Sequence, residues 1–315
     1  MFSLQRTMAG LIAVGLAAAC AVPAYAADKV VTIGYQKYGN VILLKGTGEL
    51  EKKLAPLGYR VAWKEFPSGP PLLEALNAGA IDFGHAGEAP PVFAQAAGIP
   101  FVYVGHEPPA PKGEAILVPK DSPIRTLADL KGKKIALNKG ANVHYLLVKA
   151  LEKGGVTYSE IEPVFLAPAD ARAAFERGAV DAWAIWDPYQ AAAEAATGAH
   201  ELTDGTGLVA NTQFYLATKS FADANPQVLD IVLAAIDAVD QRAAKDTKKI
   251  ADELGPIIGI PAPILEVALN RQSYGVRPLD NNVVAEQQRI ADTFHALGLI
   301  PNAIVVSQAV RRSGS

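Results

Sequence analysis

The sequence predicts an α/β protein of two lobes, each a mainly parallel sheet flanked by helices, joined by two crossings of the chain. Three observations predict it. Short, continuous apolar runs alternate with amphipathic helical segments, as in buried parallel sheets with right-handed helical crossovers. Two of these units recur at a nearly constant shift. A proline-rich stretch breaks the alternation once, and a glycine-rich polar stretch later marks a return.

The repeat is clearest around Gly178-Ala179-Val180-Asp181-Ala182-Trp183-Ala184-Ile185-Trp186-Asp187-Pro188-Tyr189. A shift of 99 residues superposes Gly79 on Gly178, Ala80 on Ala179, Asp82 on Asp181 and Glu88 on Asp187. In both copies glycine can end an amphipathic helix in the left-handed conformation, which costs a residue without Cβ least. A strand follows, then a carboxylate beside proline. Residues 33–41 and 135–143 align at a shift of 102, with Ile, Lys, Asn and Val identical and Gln36 facing Asn138. Each reads as strand, polar loop and a helix beginning near Asn40 or Asn142, with asparagine as N-cap.

In chain order, strands are predicted at 30–35, 59–65, 81–86 and 101–104, with helices at 41–54, 70–79 and 90–97. Pro70 and Pro90 suit first helical turns. Residues 107–113 hold three prolines and predict a semi-rigid extended connection. Beyond it strands are predicted at 115–119, 134–137, 162–166 and 180–185, with helices at 126–130, 142–153 and 170–177. Residues 201–211 predict the return crossing, 213–218 a strand, and 226–245, 247–254, 263–271 and 281–297 helices. The domains expected are a leader at 1–26, the first part of lobe one at 27–112, lobe two at 113–210, and a return strand with C-terminal helices at 211–315 that mostly complete lobe one.

The leader reads as a signal peptide. Arg6 supplies the positive start, residues 8–22 the apolar stretch, and Ala24-Tyr25-Ala26 a small-x-small site that predicts cleavage after Ala26. Cys20 raises the alternative of a lipoprotein, but Leu16 stands one place too far from it for a good lipobox. Loss of the leader removes the single cysteine of the chain. It also leaves 28 basic against 32 acidic residues, changing the net charge from −3 to −4. That balance excludes a nucleic-acid partner, which needs a basic face. A small anion in a local pocket remains compatible.

No Gly-x-Ser-x-Gly elbow, Walker loop or Gly-x-Gly-x-x-Gly fingerprint is present. The five histidines, His85, His106, His144, His200 and His295, show no metal-ligand spacing. No catalytic residue, metal or cofactor is predicted, and His85 reads as structural. The strand-end loops instead suit an oxyanion. Gln36 and Asn138 offer amide donors, Gly39 and Gly140 leave backbone N–H groups accessible, helix starts near Asn40 and Asn142 point partial positive charge at the cleft, and Gly87 precedes another helix beginning around Pro90. The alternative for these residues is capping and turn formation, and for Lys37 and Lys139 a solvated lysine. Trp186 offers a rigid apolar face for an organic tail, whereas Trp183 reads as core. Glu88 and Asp187 would repel a nearby anion if ionised. They are expected to cap helices, accept from ligand amines or hydroxyls, or pair across the cleft. Tyr215, Arg271 and Arg277 read as surface or hinge packing.

At these residues the chain resembles the periplasmic aliphatic-sulfonate-binding proteins of ABC importers, within the group that also binds taurine and nitrate. The resemblance covers nearly the whole mature chain. It rests on Ile33-Gly34-Tyr35-Gln36-Lys37, Glu65-Phe66-Pro67-Ser68-Gly69-Pro70, Leu73-Glu74-Ala75-Leu76-Asn77, residues 90–98, Leu127-Ala128-Asp129-Leu130-Lys131-Gly132, residues 168–175 and residues 180–189. It implies a type II-like periplasmic-binding-protein clamshell. Such a protein, a monomer, closes on an alkanesulfonate and delivers it to a membrane permease and its ATPase for sulfur supply. Alternatives are taurine, nitrate or another small anion as ligand, and an enzyme similar to thiamine-pyrimidine synthases. Two departures bear on specificity. His85-Ala86-Gly87-Glu88 stands where a small hydroxyl residue and often Asp is usual, and Ala141-Asn142-Val143 where serines are common.

Overall fold

A computed structural model describes residues 29–311, so the predicted leader lies outside the described residues. The first run of elements is β1 (Lys29–Tyr35), α1 (Asn40–Thr47), α2 (Glu49–Leu54), β2 (Tyr59–Glu65), α3 (Gly69–Asn77), β3 (Phe83–Gly87), α4 (Ala89–Ala96) and β4 (Phe101–His106). The second is β5 (Glu114–Val118), β6 (Lys134–Leu137), α5 (Asn142–Gly154), β7 (Glu162–Phe165), α6 (Pro168–Glu176), β8 (Ala182–Trp186), α7 (Tyr189–Thr197) and β9 (His200–Asp204). The chain then continues through β10 (Gln213–Thr218), α8 (Lys219–Ala224), α9 (Pro226–Lys245), α10 (Thr247–Ile258), α11 (Ala262–Arg271) and α12 (Asn281–Ala296).

These strands form two five-stranded sheets, ordered β2-β1-β3-β10-β4 and β7-β6-β8-β5-β9, one to each lobe. Both are mixed for the same reason. β10 comes back from the second lobe and lies antiparallel between β3 and β4, while β5 enters from the first and lies antiparallel between β8 and β9. The remaining neighbours, β1 with β2 and β3, and β6 with β7 and β8, are parallel. The two connections run side by side: Glu107 N–H donates to Gln213 O, Ala110 N–H to Ala210 O, and Gly205 N–H to Pro111 O.

The internal repeat has a physical counterpart. Gly79 and Gly178 both take φ near +70° (66° and 69°) and end α3 and α6. In each case the following N–H, of Ala80 or Ala179, reaches back to the helix at 2.9 Å. Asp82 then accepts from Thr32 N–H and donates its own N–H to Thr32 O, both at 2.8 Å. Asp181 makes the same two bonds to Lys134, both at 2.8 Å. Each aspartate thus clips a strand to its parallel neighbour where the ladder begins.

Several sequence expectations need correction. The helix predicted over 41–54 is two helices, because Gly48 turns left-handed at φ 64°. Asn40 and Asn142 are the first residues of their helices and not N-caps; Gly39 and Ala141 hold that position, with no side-chain capping bond. The stretch read as a crossing from 201 contains β9 at its start, and the crossing follows it. Helices α7 and α8 were not predicted.

One apolar cluster lies between β1, β3 and β10 on one side and α1, α9 and α10 on the other. In α9, Val228, Leu229, Val232, Ala235, Ile236, Val239 and Ala243 are buried at helical spacing. A second cluster fills the other lobe and extends through α12 to α3 and α4 of the first. The lobes therefore share apolar contact.

Replacing Asp82 by Ala removes the side-chain acceptor from the part-buried Thr32 N–H. The expected cost is about 1–2 kcal/mol of unfolding free energy in urea titrations, with the two-lobed fold retained.

Candidate functional site

The first-turn N–H groups of a helix have no intrahelical partner, and where no side chain caps them they can serve an anion. Helices α1 and α5 both start without such a cap. Their starts lie close to one stretch, β3 and the residue after it. A Cβ added to Gly39, just before α1, would stand 2.8 Å from the His85 ring, and one added to Gly87 would stand 2.8 Å from Asn142 Cβ. Gly39 also holds φ +79°, which a side chain would strain. Close backbone approach at these two glycines brings helix starts of both lobes together. α4 begins there as well, but Pro90 and Pro91 occupy its first turn and supply no N–H.

Asn142 ties the two sides together. Its Nδ2 donates to Glu114 Oε2, at the start of β5, and to Asn211 Oδ1, in the return crossing, at 3.0 Å. Asn211 takes φ 49° and turns its own Nδ2 to Ala110 O at 2.8 Å. Glu88, at the start of α4, accepts from Thr212 N–H at 2.9 Å, and its carbonyl accepts from Gln287 Nε2 of α12 at 2.6 Å. Gln36 Nε2 donates to His85 O at 2.9 Å, which spends one amide hydrogen inside the first lobe. Gly140 keeps φ +73°, but its N–H is bound to His144 Nδ1 at 3.2 Å.

Trp186 ends β8 paired with Glu114 across the ladder, buried, with Tyr189 edge-on at 6.1 Å between ring centroids. Asp187 follows it, fully buried, and accepts from Ala191 N–H in the first turn of α7 at 3.0 Å. Arg271, on α11, approaches Asp187 Oδ1 at 3.4 Å and also pairs with Glu194 and Glu201. Lys37 is half-buried and lines a narrow crevice with Tyr38, Gly39, Asp187 and Pro188. The predicted residues Gln36, Gly39, Gly87, Glu88, Asn142, Trp186 and Asp187 are thus gathered where the lobes meet. Gly140 stands to one side, beside Phe93 and His144, and Tyr215 lies within the first lobe, donating to Glu107 at 2.7 Å. Arg277 pairs with His106 along the edge of β4.

The electrostatics of this region are unusual for an anion site. Burial holds His85 near 4, so it is a neutral ring. Burial lifts Glu88 to about 7, and Asp187 to about 6 against the pull of Arg271. Burial raises Glu114 well above the carboxylate range, with Glu88 adding to the effect. The Tyr38 hydroxyl, in the loop after β1, is buried and kept protonated. Among the described residues no group of three His, Cys, Asp or Glu side chains could hold a metal ion.

Sequence reasoning missed Glu114, Asn211, Thr212 and the aromatic contact behind the site. There Phe93 of α4 and Phe294 of α12 meet His144 and Tyr145 of α5, with centroids 4.9–6.1 Å apart. A charged residue at the head of a wholly apolar strand was the available signal for Glu114.

Fold and arrangement define a class, the two-lobed binding protein with its candidate site between the lobes. The family model described as NMT1/THI5 like matches residues 61–249. A protein of Escherichia coli named for aliphatic-sulfonate binding is 42% identical over 308 residues, 98% of this chain and 95% of that one. An alkanesulfonate-binding protein of Xanthomonas axonopodis pv. citri, solved with MOPS bound, superposes with a TM-score of 0.86 at 42% identity, covering 90% of this chain and 98% of its own. A taurine-binding periplasmic protein of Escherichia coli is 30% identical over 229 residues, 71% of this chain and 70% of that one. The chain belongs to the NMT1/THI5-like family and, with these relatives, to the periplasmic sulfonate-binding proteins.

Gly87→Ala tests the contact between lobes. The added methyl has no strained φ to adopt, but it meets Asn142 when the lobes touch. Ligand affinity is expected to fall at least about tenfold, roughly 1.4 kcal/mol, while the melting temperature of ligand-free protein stays within a few degrees.

Proposed function

We propose that this protein is the solute-binding component of an ABC importer and captures aliphatic sulfonates in the cleft between its lobes. The observation that carries the reading is the meeting of two uncapped helix starts, α1 from one lobe and α5 from the other, beside Gly39 and Gly87. A sulfonate is a permanent anion with three acceptor oxygens, and it needs convergent N–H donors and no chemistry. Relatives at 42% identity are named for the same ligand class. No catalytic step is assigned, because nothing in the cleft combines a nucleophile with a base.

In this reading Gln36, Gly39, Gly87 and Asn142 surround the sulfonate head. Trp186 faces the organic tail, Lys37 sits at the entrance, and Gly140 supports α5 from behind. Glu88 and Asp187 hold the closed arrangement, through Thr212 and Arg271 respectively. Lobe one comprises 27–112 with most of 211–315, and lobe two 113–210. The chain is exported, loses its leader after Ala26, and acts as a periplasmic monomer that hands its ligand to a permease and, through it, to an ATPase. Closure follows from tighter binding to the closed state.

Calorimetric titration of ligand-stripped mature protein with short and long alkanesulfonates, taurine, sulfate and nitrate tests the ligand class. Buffers must not themselves be sulfonates. Micromolar or tighter binding of alkanesulfonates with sulfate and nitrate silent is expected; silence across the sulfonates would refute the assignment. Trp186→Ala is expected to weaken long-chain sulfonates by about 1–3 kcal/mol and short ones less. Equal effects on both would remove Trp186 from the tail site.

A further inference from the structure

Two carboxyl groups of the cleft are left without a complete set of partners. Glu88 follows β3 in the first lobe and Glu114 opens β5 in the second, and they are 1% and 0% exposed. One oxygen of each is held, by Thr212 N–H and by Asn142 Nδ2 respectively. The other oxygen, Oε1 in both, is buried with no hydrogen-bond partner. Asn142 links the neighbourhoods of the two residues: it donates to Glu114, and the backbone of Gly87 packs on its Cβ. The two carboxyls therefore come together when the lobes do.

The groups that face them do not supply a counter-charge. Around Glu88 stand the backbone of Asn211 and Thr212, Glu286 and Gln287 of α12, and Tyr145 of α5. Around Glu114 stand Asn142 and, across the cleft, Glu88 and the Tyr38 hydroxyl. His85, on β3, is neutral. Arg271 is shared among Asp187, Glu194 and Glu201, and Lys37 lies beside Asp187 in the crevice; neither forms an ion pair with Glu88 or Glu114 among the described residues. Two carboxylates brought together in a dry, cation-free setting cannot both stay ionised. Were the parting of the lobes to let water reach both carboxyls, they would ionise in the ordinary range.

We propose that closure of the cleft transfers a proton from solvent to the free oxygen of Glu114, with Glu88 as its partner from the opposite lobe, so that the protein captures an anion and a proton together. The proposal rests on the reading of the cleft as an anion site. One O–H bond forms on Glu114, the proton leaves water or buffer, no bond in the ligand changes, and reopening returns the proton. Protonation removes a negative charge that faces the anion. It also turns a bare acceptor into an O–H donor that a sulfonate oxygen can accept. A sulfonate is fully ionised near neutral pH, so the proton cannot arrive on the ligand.

The sign of the pH dependence follows. A group whose pKa is raised in the closed form stabilises that form fully below its open-form value. The stabilisation is lost as pH rises through the closed-form value, about 7 for Glu88, with Glu114 also raised well above the ordinary carboxylate value by burial and by Glu88. Sulfonate affinity is expected to fall with rising pH, by up to about tenfold per unit for each linked proton.

The test is calorimetric titration of the mature protein with butanesulfonate at pH 7.5 in Tris, imidazole and phosphate, whose ionisation heats differ. The slope of observed enthalpy against buffer ionisation heat counts the protons taken up. About one proton is expected for the natural protein. A slope near zero is expected for Glu114→Gln and a reduced slope for Glu88→Gln, which relieves the repulsion acting on Glu114. Tight binding with no proton uptake in the natural protein overturns the proposal, as does uptake unchanged in Glu114→Gln. Marked preference for ammonium-bearing sulfonates without proton uptake also overturns it, since the carboxylates would then stay ionised against a ligand cation. No binding of any sulfonate would instead sink the ligand-class reading, and the proposal with it.

Discussion

The carboxamide of Asn142 is the point on which the arrangement between the lobes depends. It is the first residue of α5, yet it points away from the helix end to bond Glu114 and Asn211, while Gly87 of the other lobe packs on its Cβ. A buried amide of this kind must be satisfied or the contact is lost, because an unpaired polar group in a dry setting costs about 1–3 kcal/mol. It is satisfied by groups from the second sheet and the crossing. Contact between the lobes therefore needs the crossing, the β5 entry and the β3 exit all in register.

That register comes from the way each sheet is built. β10 and β5 are the strands that follow the crossings, and each is inserted next to the middle of its sheet and not at an edge. The crossings are thus anchored at both ends by ladders in the cores, and they hydrogen-bond to each other between. This doubled segment is where the two lobes join. The aromatic contact of Phe93 and Phe294 with His144 and Tyr145 buries apolar surface beside the polar site.

Much of the fold was legible because local patterns and tertiary context agree. Glycines at 79 and 178 end helices wherever the sheet lies, and the recurrent aspartates at 82 and 181 announced a structural duplication that the backbone bonds confirm. The break at Gly48 was hidden inside an apolar run that suits one helix as well as two. Asn40 and Asn142 fit the composition of a cap, but a one-residue offset puts them inside the helix and frees their side chains for other work. Helix α7 is built largely of alanine, which suits a buried and an exposed face alike. β9 is a part-exposed edge strand whose pairing with β5 no local pattern reveals.

The site was legible only in part. Loop glycines and amides mark where backbone must come close, and Gly39, Gly87 and Asn142 are gathered at the junction of the lobes. Partners from distant sequence, Glu114, Asn211 and Gln287, owe their place to topology alone. Small-angle X-ray scattering of the mature protein, without ligand and with saturating butanesulfonate, tests most directly the central claim that the two lobes close on an anion. The account predicts a smaller radius of gyration with ligand than without it. Saturated protein whose curve is unchanged from an open, ligand-free form would contradict it.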